Sequence, residues 1–198
     1  MFLSKGGFRS YDGARWVEEK SDAIGNDPRG ILTPAGLYVL SSFKAGPRLV
    51  IIEPGMTNDV PLPGDYLAAE KKSPFSCAKL AWYQGRLCLF WTAQESISWA
   101  MLSGSTWSPA ATSPYSGGYE VIADDRNLYF FHREGEGPVR SLSYYTFTND
   151  VWSGPMRLPI QEGFTNWDVF FQQGKLKLFI RQFTHQTLYT IEKESLVD

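Results

Sequence analysis

Aromatic rings beside groups that hydrogen-bond in fixed directions are the chemistry this sequence offers. Trp91, Gln94, Glu95, His132, Arg133, Glu134, Arg181 and Gln182 fall near the ends of apolar runs. Tyr66, Phe75, Tyr115, Tyr119, Phe164 and Trp167 lie in the segments that connect such runs. An indole or phenol face suits the apolar side of a pyranose ring, and a guanidinium, carboxylate or amide next to it orients the hydroxyls. On this reading Arg133 and Arg181 are donors, Trp91, Tyr115, Tyr119 and Trp167 are platforms, and Glu95 stands beside them. The competing reading of the same aromatics is that they only cover the ends of the strands.

Catalytic chemistry has less to stand on. His132 and His185 fall in loops of different repeats, with no nucleophile and base gathered around either. Cys77 and Cys88 lack the spacing of a zinc-ligand pair and read as thiols on consecutive strands, not as a disulfide. Asp124-Asp125 sits in a turn, where Asp is favoured for conformational reasons. The expectation is a non-enzymatic chain with no metal and no cofactor. The remaining enzymatic alternative is a glycosidase in which the fold brings Glu120 and Asp168 together.

The bulk numbers bound the partners. With 198 residues, 43% apolar and 15% aromatic, the chain can bury a core. A net charge of −2 with scattered Lys and Arg lacks the footprint for a phosphate backbone, so nucleic acid is excluded as a partner. No apolar run reaches the length of a membrane span. The opening Met1-Phe-Leu-Ser-Lys5-Gly-Gly lacks the apolar core of a secretory signal, which points to the cytoplasm or to release without a signal.

The elements that must position these side chains repeat. Ser141 to Trp152 contains a strand, a polar turn and a Trp; Thr148-Asn149-Asp150-Val151 recurs letter for letter as Thr57-Asn58-Asp59-Val60. Turn-then-Trp recurs at Gly104 to Trp107 and Asp12 to Trp16. Cutting before Trp16, Pro61, Trp107 and Trp152 gives four segments of about 45 residues, a period typical of solenoids and propellers. The repeats run approximately 16–60, 61–106, 107–151 and 152–198 with 1–15, all within one domain spanning 1–198.

Each repeat opens on a hairpin: Ile31 to Leu40 across Thr33–Gly36, Leu80 to Trp91 across Gln84–Arg86, Val121 to Phe131 across Asp124–Asn127, and Val169 to Ile180 across Gln172–Gly174. Third strands follow at Arg48–Ile52, Ser96–Leu102, Leu142–Phe147 and Leu188–Glu192, and a fourth starts at the repeat Trp or at Pro61. No segment has helical periodicity, so almost no helix is expected. The expected fold is all-β: a four-bladed β-propeller of four-stranded antiparallel blades. Phe8 to Lys20 would supply the fourth strand missing from the last blade and close the ring. The rival is a longer ring made by two chains, so both a monomer and a homodimer stand open.

Within that frame the repeat tryptophans read as scaffold, packed between blades. Aligning the hairpins on Leu37, Leu87, Leu128 and Leu176 puts Arg29, Lys79, Glu120 and Asp168 at one position near the start of each innermost strand, around a channel mouth. They would pair as a plug, or let Glu120 and Asp168 hold a cation.

Cys77-Ala-Lys-Leu-Ala-Trp-Tyr-Gln-Gly-Arg-Leu-Cys-Leu-Phe-Trp91, followed by Ser98-Trp99 and Ser105-Thr106-Trp107-Ser108, resembles the repeats of bacterial and fungal propeller lectins, including the fucose-binding and Photorhabdus-type lectins. In the latter an Arg follows the second strand. Phe131-His132-Arg133 and Phe179-Ile180-Arg181 match it, while Ser42 and Thr92 occupy the equivalent places elsewhere. The resemblance implies carbohydrate binding, with a glycan or glycoprotein as partner. Asn127-Leu-Tyr-Phe-Phe131 is similar to a strand of the four-bladed hemopexin-like fold, whose cysteine pair is absent here. That second resemblance implies a protein-interaction or small-ligand module, of a kind found in toxin and defence systems.

Overall fold

Tight turns in left-handed backbone set the registers of this chain. Gln84-Gly85, Asn149-Asp150 and Gln173-Gly174 each place two consecutive residues at positive φ (46° and 75°, 51° and 62°, 52° and 71°). Such two-residue turns match the twist of the strands they join, so neighbouring segments pair antiparallel without a crossover. The computed structural model describes residues 2–11, 14–72, 77–94, 96–113, 118–134, 141–158, 166–181 and 186–191.

Within the described residues the strands form five sheets. The first holds β1 (Phe2–Ser4), β2 (Gly7–Tyr11) and β3 (Trp16–Lys20). The second holds β4 (Asn26–Thr33), β5 (Gly36–Phe43), β6 (Gly46–Glu53) and β7 (Met56–Val60). Helix α1 (Gly64–Lys72) precedes the third, made of β8 (Lys79–Tyr83), β9 (Arg86–Ala93), β10 (Ser96–Ser103) and two short strands on the edge of β10, β11 (Thr106–Trp107) and β12 (Ala111–Ser113). The fourth holds β13 (Tyr119–Ala123), β14 (Leu128–Glu134), β15 (Ser141–Thr148) and β16 (Val151–Arg157), and the fifth β17 (Asn166–Gln172), β18 (Lys175–Arg181) and β19 (Gln186–Ile191). The chain is all-β and of β-propeller type, built of consecutive meander blades.

Two compact units divide it, 1–114 and 115–198. Inside the first, β1 lies against β4 and β4 against β8; inside the second, β13 lies against β17. Blades thus meet through their first strands. The second blade is apolar on both faces because its strands alternate. Leu37, Val39 and Val50 bury with Ile24, Leu3 and Phe8 on one side. Tyr38, Leu40 and Leu49 bury with Leu87, Leu89 and Trp91 on the other. Gly30 admits the first blade: a Cβ there would sit 2.7 Å from Leu3 Cδ1 and 2.9 Å from the Tyr38 carbonyl oxygen. In the second unit, Tyr129, Phe131, Leu142 and Tyr144 pack with Val169, Leu176, Leu178 and Ile180.

Three expectations are corrected. Among the described residues there are five blades, not the four that were expected and that the hemopexin-like fold has. The N-terminal strands do not complete the last blade, because the Lys5-Gly6 turn, with Gly6 at φ 78°, folds β1 onto β2 and the three strands pair among themselves. One short helix stands within the all-β fold: Leu67-Ala-Ala-Glu-Lys-Lys72 are strong helix formers, with Asp65 in the first turn and Lys71 and Lys72 in the last, matching the helix dipole. No described helix is long and apolar enough to cross a membrane. Pro61 begins no strand. In register, Leu87–Leu102–Trp107 and Leu128–Phe147–Trp152 correspond to Leu37–Ile52–Thr57, so Thr57 holds the Trp position in the second blade.

The tryptophans themselves divide. Trp107 is half-buried and donates from Nε1 to the Pro61 carbonyl oxygen at 2.6 Å, and Trp152 packs against Phe147 and Phe130 at 5.0 and 6.3 Å between ring centres. Trp16, by contrast, is 54% exposed and is not a buried scaffold residue.

Candidate functional site

Strand alternation decides which site candidates can meet. In β14 and β15, Phe131 pairs with Tyr144 and Arg133 with Leu142, so Arg133 shares the face that packs on the fifth blade. From the other side, Trp167 pairs with Ile180 and joins the same cluster, its indole tilted 53° against Phe131 at 6.4 Å. Leu158 extends the edge of the blade by donating its N–H to the Leu142 carbonyl at 2.9 Å and is half-buried in the cluster. Phe131 and Leu142 are fully buried in this cluster, Leu158 packs against it, and half-buried Arg133 and Trp167 stand on the facing sides of the fourth and fifth blades. Arg133 is held there by its own N–H, which donates to the Gly118 carbonyl at 3.2 Å.

The other candidates are dispersed. Arg181 is exposed and pairs with Asn166, on the face of the fifth blade opposite Trp167. Trp91 is 1% exposed, with the Tyr66 ring meeting it edge-on at 5.9 Å, and Tyr119 is 3% exposed and stacked on Phe130 at 5.7 Å. Neither buried ring offers a face to a ligand. Tyr115 and Glu95 lie outside the described residues. No protein-family model matches the chain, and no curated protein does. Nothing but the geometry therefore bears on the site.

Arg29, Lys79, Glu120 and Asp168 do occupy one register position, opposite Leu40, Phe90, Phe131 and Phe179. In the 1–114 unit the Arg29 guanidinium donates to the Ala78 carbonyl oxygen and so ties β4 to the start of β8. Arg29 also lines a cleft of about 860 Å³ formed by the starts of β4 and β6, the end of β5, one side of α1 and Cys77-Ala78. Leu40, Phe43, Tyr66 and Ala78 supply its apolar surface, and Asp27, Ser42, Lys44, Glu70 and Lys71 its polar groups. Lys44 and Lys71 carry no signal in the sequence, because a turn and a helix from different parts of the chain bring them together.

One residue expected in a loop stands elsewhere. His132 belongs to β14, not a loop; it is 2% exposed, between Phe130 at 6.0 Å and Tyr145 at 5.5 Å. Burial pushes the Cys88 thiol up to about 12, whereas Cys77 is exposed; neither is in a disulfide. Asp124 closes its turn by accepting the N–H groups of Arg126 and Asn127, both at 2.8 Å. Beside it, burial and then the Asp124 charge push the Tyr129 hydroxyl up to about 12. Among the described residues no three His, Cys, Asp or Glu side chains gather where they could hold a metal ion.

Proposed function

We propose that this chain is a non-enzymatic recognition module that binds carbohydrate at Arg133 and Trp167, on the facing sides of its fourth and fifth blades. The observation that carries this reading is that a half-buried arginine and a half-buried indole stand on the facing sides of two adjacent blades, beside an apolar cluster. A pyranose stacks its apolar side on such an indole while the planar guanidinium donates to ring hydroxyls. Arg181 lies outside this arrangement, on the other face of its blade.

A glycan array probed with the labelled protein, with calcium and with chelator in parallel, tests the proposal. Binding to a related set of sugars is expected to vanish in Arg133→Ala, to persist in Arg181→Ala, and to leave the melting temperature unchanged in both. A blank array, or binding that survives Arg133→Ala, overturns it. Turnover of a chromogenic glycoside would replace it with the glycosidase reading.

A further inference from the structure

The 1–114 unit has a cleft of its own. Its volume of about 860 Å³ falls within the roughly 300–1,000 Å³ of small-molecule sites. Arg29, half-buried on its wall, has no carboxylate partner among the described residues; its guanidinium donates instead to the neutral Ala78 carbonyl. A half-buried cation without a counter-charge is an unfavourable arrangement that a bound anion relieves. Lys44 and Lys71, also on the lining, likewise carry no ion pair among the described residues. Asp27 and Glu70 add two carboxylates to these three cations, so the positive charge is in excess, and Glu70 is already engaged.

We infer that this cleft is a second ligand site, for a small hydroxylated anion: a sugar ring or short saccharide bearing a carboxylate or phosphate. Arg29, Lys44 and Lys71 take the anionic group. Phe43 gives the apolar surface on which a ring lies, and Ser42 and Asp27 meet its hydroxyls. Ser42 stands where the fourth and fifth blades have Arg133 and Arg181. In this blade the cationic groups come instead from the first strand, the β5–β6 turn and α1.

Cys77 on the rim gives the cleft its own reporter, since Cys88 is buried and its thiol is raised to about 12. The experiment follows alkylation of Cys77 by iodoacetamide, an uncharged reagent, by mass spectrometry of the intact chain. Glucuronate and glucose 6-phosphate are the carboxylate and phosphate probes, and glucose is the neutral control. At about ten times the dissociation constant, an anionic probe slows alkylation about tenfold by occupancy alone. Glucose leaves the rate unchanged, and Lys44→Glu with Lys71→Glu, both exposed positions, abolishes the protection. Slowing by one anion only assigns the charged group. No slowing by either anion, or equal slowing by glucose, overturns the inference. Arg133→Ala serves as the separating control, because it removes binding at Arg133 and Trp167 and leaves Cys77 protection intact.

Discussion

Replacing Tyr66 by Ala removes the one buried side chain of α1. A helix of nine residues does not hold in water by itself, so its place depends on what it buries. Tyr66 is 3% exposed, belongs to the cluster of Leu87, Leu89 and Trp91, and meets the Trp91 ring at 5.9 Å and 69°. Truncating a buried aromatic side chain costs about 3–5 kcal/mol, of which an aromatic pair accounts for about 0.5–1.5 kcal/mol. Tyr66→Ala is therefore expected to lose about 3–4 kcal/mol in urea unfolding. At about 2–4 °C per kcal/mol for a chain of this size, the melting temperature drops on the order of 10 °C. Tyr66→Phe keeps the ring and should retain most of the stability. Hydrogen exchange at residues 64–72 should quicken in the Ala variant, and Cys77 should alkylate faster as the wall of the cleft loosens. A loss below about 1 kcal/mol with unchanged Cys77 reactivity would refute the argument that Tyr66 pins the helix.

Gly30→Val should destabilise by about 1–3 kcal/mol in thermal melts, because its Cβ meets Leu3 and the Tyr38 carbonyl inside contact distance. Trp107→Phe keeps the ring packing but gives up the bond to Pro61, and about 1 kcal/mol is expected from chemical denaturation. Cys88 and Tyr129 are both raised in the fold, from 9.0 and 10.0 to about 12, so their protonated forms favour folding. Their contribution is complete below pH 9 and is lost as pH climbs from about 9 to about 12; urea midpoints across that range should fall, and fall less steeply in Cys88→Ala. In acid the exposed Asp59, held below its usual range by its hydrogen bond from Arg48, loses that interaction as pH falls through its folded pKa. Asp59→Asn should barely change the unfolding midpoint at neutral pH, as for most surface pairs.

Legibility varied with how local the cause was. The hairpins from Ile31 to Leu40 and from Leu80 to Trp91 were plain because alternation and a turn signal lie within a dozen residues, and β4–β5 and β8–β9 confirm them. The blade count was lost at the N-terminus. There β1 is only three residues long, and the Phe8–Lys20 segment, taken alone, reads equally well as strands for another blade. The repeated tetrapeptide misled most. Thr148-Asn149-Asp150-Val151 spans a turn, with Asn149 and Asp150 at positive φ, whereas Thr57-Asn58-Asp59-Val60 runs inside β7. In the second blade the turn is made earlier, at Gly55, with φ 74°, and Asp59 is drawn into the strand facing Val50, its carboxylate bonded to Arg48. Matching the letters shifted the frame and put Pro61 where Thr57 belongs.

Composition and pattern by themselves determined that this chain is all-β, that its strands come in antiparallel hairpins, and where most of those strands lie. Those features follow from side-chain alternation and turn chemistry, which act between near neighbours. Which rings are offered to a ligand was decided only in three dimensions. Trp91 and Tyr119 carry the same chemistry as Trp167, yet packing buries the first two and leaves the third half-buried. Arg133 and Arg181 hold the same position in equivalent strands, but Arg133 faces the blade that carries the indole, whereas Arg181 lies on the face of the fifth blade away from Trp167. The cleft is tertiary throughout: Arg29, Lys44 and Lys71 are far apart along the chain, and their charges add up only because a strand, a turn and a helix converge.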